Sequence, residues 1–403
     1  MSVDAAPAWT MSRRLPGATV LQVVPALGDQ PAARAAVNVA SALLRSGARA
    51  LVAGGPGMLV GQLQALGGEW VQLEGDTVNP FKLRRNGRVI GKAIERERID
   101  IVHAYGGAAA WSARSAATQR GTLLVTTYPG APMSGMDMAA FYQSALASGH
   151  RIITESEYAA ELVIKRHAAA SDQVVAIARS IDTARFDPSA VSAERMAVLN
   201  HRWGIRPGWR VVLLPGPVSP ARGQMTLVDA VRILVNGGMR GVAFVMTGEN
   251  GGDEGYARAI GERTAAQGIG GLVRRAGPCP DMPAAYAVAD LVVVPSTEAT
   301  TFDPIAAEAQ AMGKPVVASE LGSLPEIVLV PPRVGDDDRT GWVTKPADPI
   351  ELARALAAAL TLDHAVLEAI GRRGRHFAEV TFSPTRVAAA VLAVYASLLE
   401  TGR

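Results

Sequence analysis

Chemically active side chains are concentrated in one polar loop and the helix that follows it: Glu298, Asp303 and Glu308. The loop begins where the apolar run Leu291 to Val294 ends. It leads into a predicted helix, Ala306 to Met312, and then into a second predicted strand, Pro315 to Ala318. Open α/β sheets bind ligands at the carboxyl ends of their strands, where such loops lie. This segment therefore predicts a βαβ unit with a ligand site in its loop.

A second loop carries a cation just before a helix. It follows the predicted strand Arg210 to Leu214 and contains Gly216, Arg222 and Gly223. Backbone N–H groups and the helix dipole favour anions at a helix N-terminus, and an arginine can hold a phosphate through two N–H groups. The loop therefore predicts a phosphate site, and the alternative is a surface arginine after a turn.

The first of these loops resembles the donor site of the family-4 retaining glycosyltransferases, whose pattern is Pro-Ser, a Glu, Phe-Gly, a second Glu and then Pro-Val-Val-Ala. In that family the second Glu, here Glu308, holds the ribose of the nucleotide, and the first binds the transferred sugar. Phe302 sets the register, so the first Glu falls at Thr300. Glu298 lies two residues early, and Asp303 occupies the usual Gly.

The resemblance implies a nucleotide-sugar site without a metal or a bound cofactor, in which cations and amides stabilise the leaving diphosphate. It assigns catalytic roles to Arg222 and Glu308, with Glu298 as the candidate replacement for the Glu missing at Thr300. It also places loop amides at Asp303 to Ile305 on the diphosphate. The residues expected to contact the donor are Gly216, Gly223, Gly248, Glu249, Phe302, Asp303, Pro304, Ile305, Arg179, Gly28 and Asp29.

Several positions depart from the family pattern. An expected Arg is Pro217, a Gly-Gly loop is Gln30-Pro31, an expected His is Pro129, and an Arg-Gly pair is Arg179-Ser180. Proline lacks an N–H and restricts the backbone, so these changes weaken the predicted grip on the donor. The sequence thus predicts a retaining glycosyltransferase that moves a sugar from a nucleoside-diphosphate sugar to a saccharide or lipid-linked acceptor. The alternative is a catalytically inactive module of the same fold that binds a nucleotide, a saccharide or a partner protein.

Short Val/Ile/Leu-rich runs alternate with helix-compatible segments, which is typical of buried parallel strands. The predicted strands of the first half are Val20 to Val24, Ala50 to Ala53, Ile99 to Val102, Leu123 to Tyr128 and Ile152 to Thr154. Those of the second half are Arg210 to Leu214, Val242 to Thr247, Leu272 to Arg275, Leu291 to Val294 and Pro315 to Ala318. Among the remaining polar or large residues, His103, Met282 and Tyr286 are interpreted as structural.

A chain of 403 residues, 49% hydrophobic, is large enough for two cores. We predict an N-terminal acceptor-side domain over 1–181, with 1–17 flexible, and a linker over 182–209. A nucleotide-sugar-binding domain follows over 210–383, and a final helix, 384–403, returns to the first domain. The resemblance implies the GT-B fold, an α/β architecture of two facing Rossmann-like domains with an interdomain cleft.

Composition restricts the other classes of function. Basic and acidic residues are nearly balanced, 40 against 37, and 5% of residues are aromatic, which argues against nucleic-acid binding. The single Cys279 and the absence of paired Cys/His spacings argue against disulfides and a metal site, although Asp336 to Asp338 leave a minor metal alternative. With no export signal or spanning segment evident, we expect a cytoplasmic protein. The basic run Lys82 to Arg98 predicts either a peripheral membrane contact or a solvated helix face.

Overall fold

The computed structural model describes residues 15–75, 77–129 and 144–401. Most of the predicted flexible segment, 1–14, lies outside the described residues. The chain divides into two compact units. Among the described residues, the first contains those up to Ser180 together with those from Pro384 to Thr401, and the second is Ile181–Ser383.

Parallel strands form the sheet of the first unit. In the described part of the chain they are β1 Thr19–Ala26, β2 Arg49–Gly55, β3 Glu69–Gln72, β4 Ile101–Tyr105, β5 Leu123–Tyr128, β6 Arg151–Thr154 and β7 Val174–Ala176. Their order is β3-β2-β1-β4-β5-β6-β7. The central strands are apolar on both faces because helices cover both sides of the sheet. The order reverses between β1 and β4, which makes their carboxyl ends the switch point of this sheet.

The helices of the first unit are Pro31–Arg45, Leu59–Ala65, Pro80–Glu97, Gly107–Thr118, Glu157–His167 and Pro384–Thr401. The last of these packs beside helix Pro31–Arg45, and its Val391 and Tyr395 are buried in the same core. Within the described residues, the stretch His364–Thr401 has the length and composition of a membrane span. Half of its apolar window is buried inside the protein, and Ser383 separates it into two helices, as expected for core helices of a folded domain.

The second unit repeats this architecture. Its described strands are β8 Arg210–Pro215, β9 Val242–Thr247, β10 Val273–Gly277, β11 Leu291–Val294, β12 Val316–Ser319 and β13 Gly341–Thr344, all parallel, in the order β10-β9-β8-β11-β12-β13. Its helices are Ala193–Arg202, Gln224–Asn236, Glu254–Ala266, Met282–Val288, Pro304–Ala311, Leu324–Ile327, Pro349–Leu360 and His364–Phe382. The switch point lies between β8 and β11.

The ten predicted strands are present, with small differences at their ends. Three further strands, β3, β7 and β13, were not predicted. Each lies at an edge of its sheet, where one side has no neighbouring strand. An edge strand is short and only partly covered, so its sequence lacks the continuous apolar run of a central strand.

The predicted linker 182–209 is instead a packed part of the second unit. It contains helix Ala193–Arg202, which lies against helix Met282–Val288. The guanidinium of Arg195 donates to both carboxylate oxygens of Asp281, at 2.8 and 2.6 Å, and Trp203 is buried. Its Pro- and Asp-rich sequence resembled a linker, but these long-range contacts hold it in place.

Candidate functional site

Three loops meet at the carboxyl ends of β8, β9 and β11 in the second unit, and glycines allow their close approach. Gly216, Gly223 and Gly248 all have positive φ, at +118°, +70° and +149°. A Cβ on Gly223 would lie under 3.0 Å from the carbonyl oxygen of Pro295, and one on Gly248 would meet the carbonyl oxygen of Gly216. Only glycine fits such contacts at positive φ. These three predicted donor residues therefore shape the loops with their backbone.

Arg222 is held in an ion pair across the switch point. Its Nη1 donates to Oδ2 of Asp303 at 2.7 Å. The Asp303 side chain is fully buried, whereas the Arg222 side chain keeps 22% of its surface exposed. The predicted phosphate cation thus lies in the expected loop, beside a buried anion of its own chain.

Asp303 also caps helix Pro304–Ala311. Its Oδ1 accepts hydrogen bonds from the backbone N–H of Ile305 at 2.9 Å and of Ala306 at 3.3 Å. These are the first-turn amides that a helix offers to an anion. The prediction that amides at Asp303 to Ile305 contact a diphosphate needs correction, because Pro304 has no N–H and the amide of Ile305 already serves the Asp303 carboxylate. A phosphate could use that amide only by displacing the carboxylate.

Glu308 lies one turn further along the same helix and is half-buried. Its Oε2 accepts a hydrogen bond from the hydroxyl of Tyr286 at 3.1 Å. Tyr286 is fully buried, and its burial, followed by the negative charge of Glu308, raises the pKa of its hydroxyl well above the ordinary value. The hydroxyl therefore stays protonated and donates to the carboxylate, which fixes the orientation of Glu308.

The other predicted residues of this unit lie around that centre. Glu298 and Glu249 are exposed, and Phe302 is buried with its ring edge-on to Phe382, at 5.8 Å between centroids. Thr300 stands where the family has a sugar-binding Glu, and its carbonyl oxygen accepts from the Ser323 amide at 3.0 Å. Glu298 thus lies in the predicted loop, and its side chain is exposed.

Some buried polar atoms near these loops have no hydrogen-bond partner among the described residues. They are Oε1 of Gln224, Oγ1 of Thr247 and Oγ of Ser296. The amide nitrogen of Gln224, by contrast, donates to the carbonyl of Pro217 at 2.9 Å. Buried polar atoms of this kind are usually satisfied by ordered water or by a ligand.

The remaining predicted residues belong to the first unit. Asp29 is exposed and forms an ion pair with Arg34, and Gly28 precedes it in the same loop. Arg179 lies 4.0 Å from the carboxylate of Glu155. The structure therefore gathers Arg222, Asp303 and Glu308 in one unit, whereas Arg179, Gly28 and Asp29 lie in the other.

His103 has the structural role that we expected. It is fully buried, its Nδ1 lies 2.6 Å from the Tyr395 hydroxyl, and its Nε2 lies 2.8 Å from the Thr127 hydroxyl. Burial lowers the pKa of His103 to about 3, so the ring is neutral at physiological pH. It links β4 and β5 to the last helix of the chain.

A cavity of about 310 Å³ lies at the carboxyl ends of the central strands of the first unit. Its wall includes Gln30, Pro31, Pro129 and Ser180, the positions that depart from the family pattern in this half of the chain, together with Arg179. The sequence predicts that these positions face the donor, and in the fold they border one space.

Two contacts of the candidate site were not predicted from the sequence: the Tyr286–Glu308 hydrogen bond and the Asp303 helix cap. Tyr286 is buried, as the sequence predicts for a core residue, but its hydroxyl also donates to Glu308. At Asp303 the family pattern has Gly, but an Asp followed by a Pro is a common helix start and is the local signal for this cap. Within 15–75, 77–129 and 144–401, no group of three or more His, Cys, Asp or Glu side chains could hold a metal ion, and Asp336 pairs with Arg339.

Comparison with known families covers both halves of the chain. Residues 32–185 match the model of Glycosyltransferase Family 4, and residues 210–361 match that of Glycosyl transferases group 1. Each unit of the chain is therefore similar to a glycosyltransferase domain. A D-inositol 3-phosphate glycosyltransferase of Streptomyces bingchenggensis is 28% identical over 78% of this chain and 65% of its own length. One of Saccharomonospora viridis is 29% identical over 63% of this chain and 57% of its own length. The chain thus spans less than two thirds of these relatives.

Solved structures show the same fold. A glycosyltransferase of Rickettsia africae superposes with a TM-score of 0.79 at 23% identity, over 95% of this chain and 99% of its own. HepE of Anabaena in complex with UDP gives a TM-score of 0.73 at 20% identity, over 95% and 100% of the two chains. The predicted fold class, two Rossmann-like α/β domains of the GT-B type, is confirmed.

Proposed function

We propose that the protein is a glycosyltransferase that moves a sugar from a nucleoside-diphosphate sugar to a saccharide or lipid-linked acceptor, with retention of configuration. The observation that carries this proposal is the contact between the loops after β8 and β11, where Arg222 meets the helix that bears Glu308. These loops flank the switch point of the second sheet, which is where α/β sheets bind nucleotides. The inositol phosphate glycosyltransferase relatives, and HepE solved with UDP and with UDP-glucose, support a nucleotide-sugar donor.

In this mechanism the carboxylate of Glu308, oriented by Tyr286, binds the ribose hydroxyls of the nucleotide. When the bond to the sugar breaks, negative charge grows on the diphosphate. The guanidinium of Arg222 stabilises this charge from a loop held in place by its glycines. The family pattern has a second arginine in this loop, but here that position is Pro217. Arg222 is then the loop's one arginine for the charge on the diphosphate, so we expect slow turnover.

A second candidate function is a module that binds a nucleotide without catalysis. The observation that favours it is Asp303, because its carboxylate already occupies Arg222 and the first amides of the helix. An internal anion at this position competes with a diphosphate for the same donors. Thr300 in place of the sugar-binding Glu points in the same direction.

The two candidates separate in one experiment. The purified protein is incubated with UDP-glucose and a panel of other nucleotide-sugars, and nucleotide release is followed with and without saccharide acceptors. For the transferase we expect slow release that Glu308→Gln reduces at least ten-fold and Thr300→Glu increases. The configuration of the product at the anomeric carbon, measured by NMR, tests retention. Saturable nucleotide binding without release, unchanged by Thr300→Glu, would reject turnover in favour of the module.

We also propose that the protein acts in the cytoplasm at the membrane surface. The basic side chains of helix Pro80–Glu97 are exposed, and Phe81 at its start is 76% exposed beside them. Basic residues next to an exposed aromatic ring suit an anionic lipid surface. Co-sedimentation with anionic vesicles, absent with neutral vesicles and lost in Phe81→Ser with Arg84→Gln, would support this location. Equal behaviour with both vesicle types would reject it.

A further inference from the structure

The cavity of the first unit lies where a parallel sheet ordinarily presents a ligand site. Pro25 at the end of β1 and Tyr105 at the end of β4 both line it, so it sits at the switch point of this sheet. Val387 and Val391 of the last helix form another wall. Its volume of about 310 Å³ corresponds to about ten water molecules at liquid density. This is enough for a small molecule or for part of a larger one.

The wall of the cavity is mainly apolar. Most of its lining is Pro, Ala, Val and Ile. Of its uncharged polar side chains, those of Gln30, Asn38 and Ser180 line the space, and the polar atoms of Tyr105 and Thr127 are already engaged. The hydroxyl of Tyr105 donates to Gln22 Oε1 at 2.9 Å, and that of Thr127 lies 2.8 Å from the His103 ring nitrogen. A saccharide carries hydroxyls on all sides, so those that face the apolar side chains would lack partners, each at a cost of about 1–3 kcal/mol. An apolar group would lose nothing comparable and would gain from burial.

One side of the cavity is charged. The guanidinium of Arg179 and the carboxylate of Glu155 approach to 4.0 Å, and both line the space. The two side chains are 29% and 14% exposed, so they form a partly buried charged edge on a mainly apolar wall. A hydroxyl can accept from one of these groups and donate to the other. The arrangement therefore suits an amphiphilic molecule that carries a hydroxyl at one end.

From this chemistry we propose that the cavity binds an uncharged, mainly apolar molecule or moiety, aliphatic or aromatic, whose hydroxyl lies at the Glu155–Arg179 pair. Given the proposed function, on which this role rests, that ligand is the apolar part of the acceptor. The protein would then glycosylate an amphiphile. Pro31 and Pro129, which replace a flexible Gly and a polar His of the family pattern, are part of this specificity.

The test uses the full chain and the uncharged fluorophore N-phenylnaphthylamine, whose emission rises in apolar surroundings. We expect saturable binding that decanol displaces and glucose does not. Ala35→Trp fills the cavity from helix Pro31–Arg45 and should weaken probe binding at least ten-fold. Ala42→Trp, on the same helix but outside the cavity wall, is the matched control and should bind as the wild type does. Thermal melts check folding, and the smaller Ala32→Leu replaces Ala35→Trp if the latter unfolds.

Unchanged probe binding in Ala35→Trp and Ala32→Leu, or displacement by glucose as readily as by decanol, would overturn the proposal. Nucleotide release from a nucleotide-sugar without acceptor is measured on the same variants. If the wild type releases nucleotide but does not bind the probe, the cavity inference fails and the proposed function survives. If the probe binds and Ala35→Trp abolishes binding, the cavity inference stands even when no nucleotide-sugar is turned over.

Discussion

Replacement of Asp303 by glycine tests whether an internal carboxylate limits nucleotide binding. In the wild type this carboxylate accepts from Arg222 at 2.7 Å and from the amides of Ile305 and Ala306. A diphosphate that uses these donors must first displace it. Asp303→Gly leaves Arg222 and both amides available, and it restores the residue type that the family has at this position.

The magnitude follows from these contacts. A hydrogen bond to a charged group contributes about 1.5–3 kcal/mol, and Arg222 is 22% exposed, which lowers its share through solvent screening. If removal of the competitor returns even one such bond to the ligand, UDP should bind at least ten-fold more tightly, since about 1.4 kcal/mol is a factor of ten. The cost is stability. Loss of the cap should lower the free energy of unfolding by about a few tenths of a kcal/mol. The arginine left without its partner should lower it by about a further 1–3 kcal/mol, which is less than for a fully buried charge.

The chain contains a matched control for the cap. Asp348 also precedes Pro-Ile at a helix start, and its Oδ1 accepts from the amides of Ile350 and Glu351 at 2.9 and 3.0 Å. Asp348→Gly should therefore remove a similar cap without changing the affinity for UDP. Asp303→Asn keeps a capping oxygen but removes the charge, so we expect an intermediate affinity.

Isothermal titration of UDP and thermal unfolding give both quantities for each variant. The reasoning is refuted if folded Asp303→Gly binds UDP no more tightly than the wild type, or if Asp348→Gly tightens binding as much.

Three further outcomes follow from particular contacts. Gly223→Ala places a Cβ under 3.0 Å from a backbone carbonyl at φ +70°, whereas the Cβ of Gly208→Ala, at φ +79°, meets nothing within 4 Å. Chemical denaturation should therefore show that Gly223→Ala lowers the free energy of unfolding by at least about 2 kcal/mol and Gly208→Ala by about 1 kcal/mol. The pKa of His103 is about 3 in the folded state and 6.5 in the unfolded state, so the unfolded state binds the proton first as pH falls. The free energy of unfolding should therefore drop by about 2 kcal/mol between pH 7 and 5, and His103→Gln should reduce this dependence on pH. Tyr286→Phe removes the donor that orients Glu308 and should weaken UDP binding about five-fold in titration, and an unchanged affinity would separate Glu308 from the nucleotide.

Much of the fold was predictable because its signals are local. The central strands, such as Val242–Thr247 and Leu291–Val294, are continuous apolar runs, and helices such as Pro349–Leu360 begin at a proline after a capping residue. The edge strands β3, β7 and β13 and the packed segment 182–209 were not predicted as such. Their positions depend on neighbours distant in sequence, as the pairing of Arg195 with Asp281 illustrates.

The candidate site divides in the same way. The sequence by itself determined that Arg222 and Glu308 lie in loop-helix segments at strand ends, because residue type and spacing along one chain segment are enough for that. Only the tertiary structure decided that Asp303, 81 residues beyond Arg222, neutralises it and that Tyr286 holds Glu308. The same is true of Gln30, Pro129 and Ser180, which border one apolar cavity. Which side chains contact one another depends on their distance in space, and their spacing along the chain does not determine that distance.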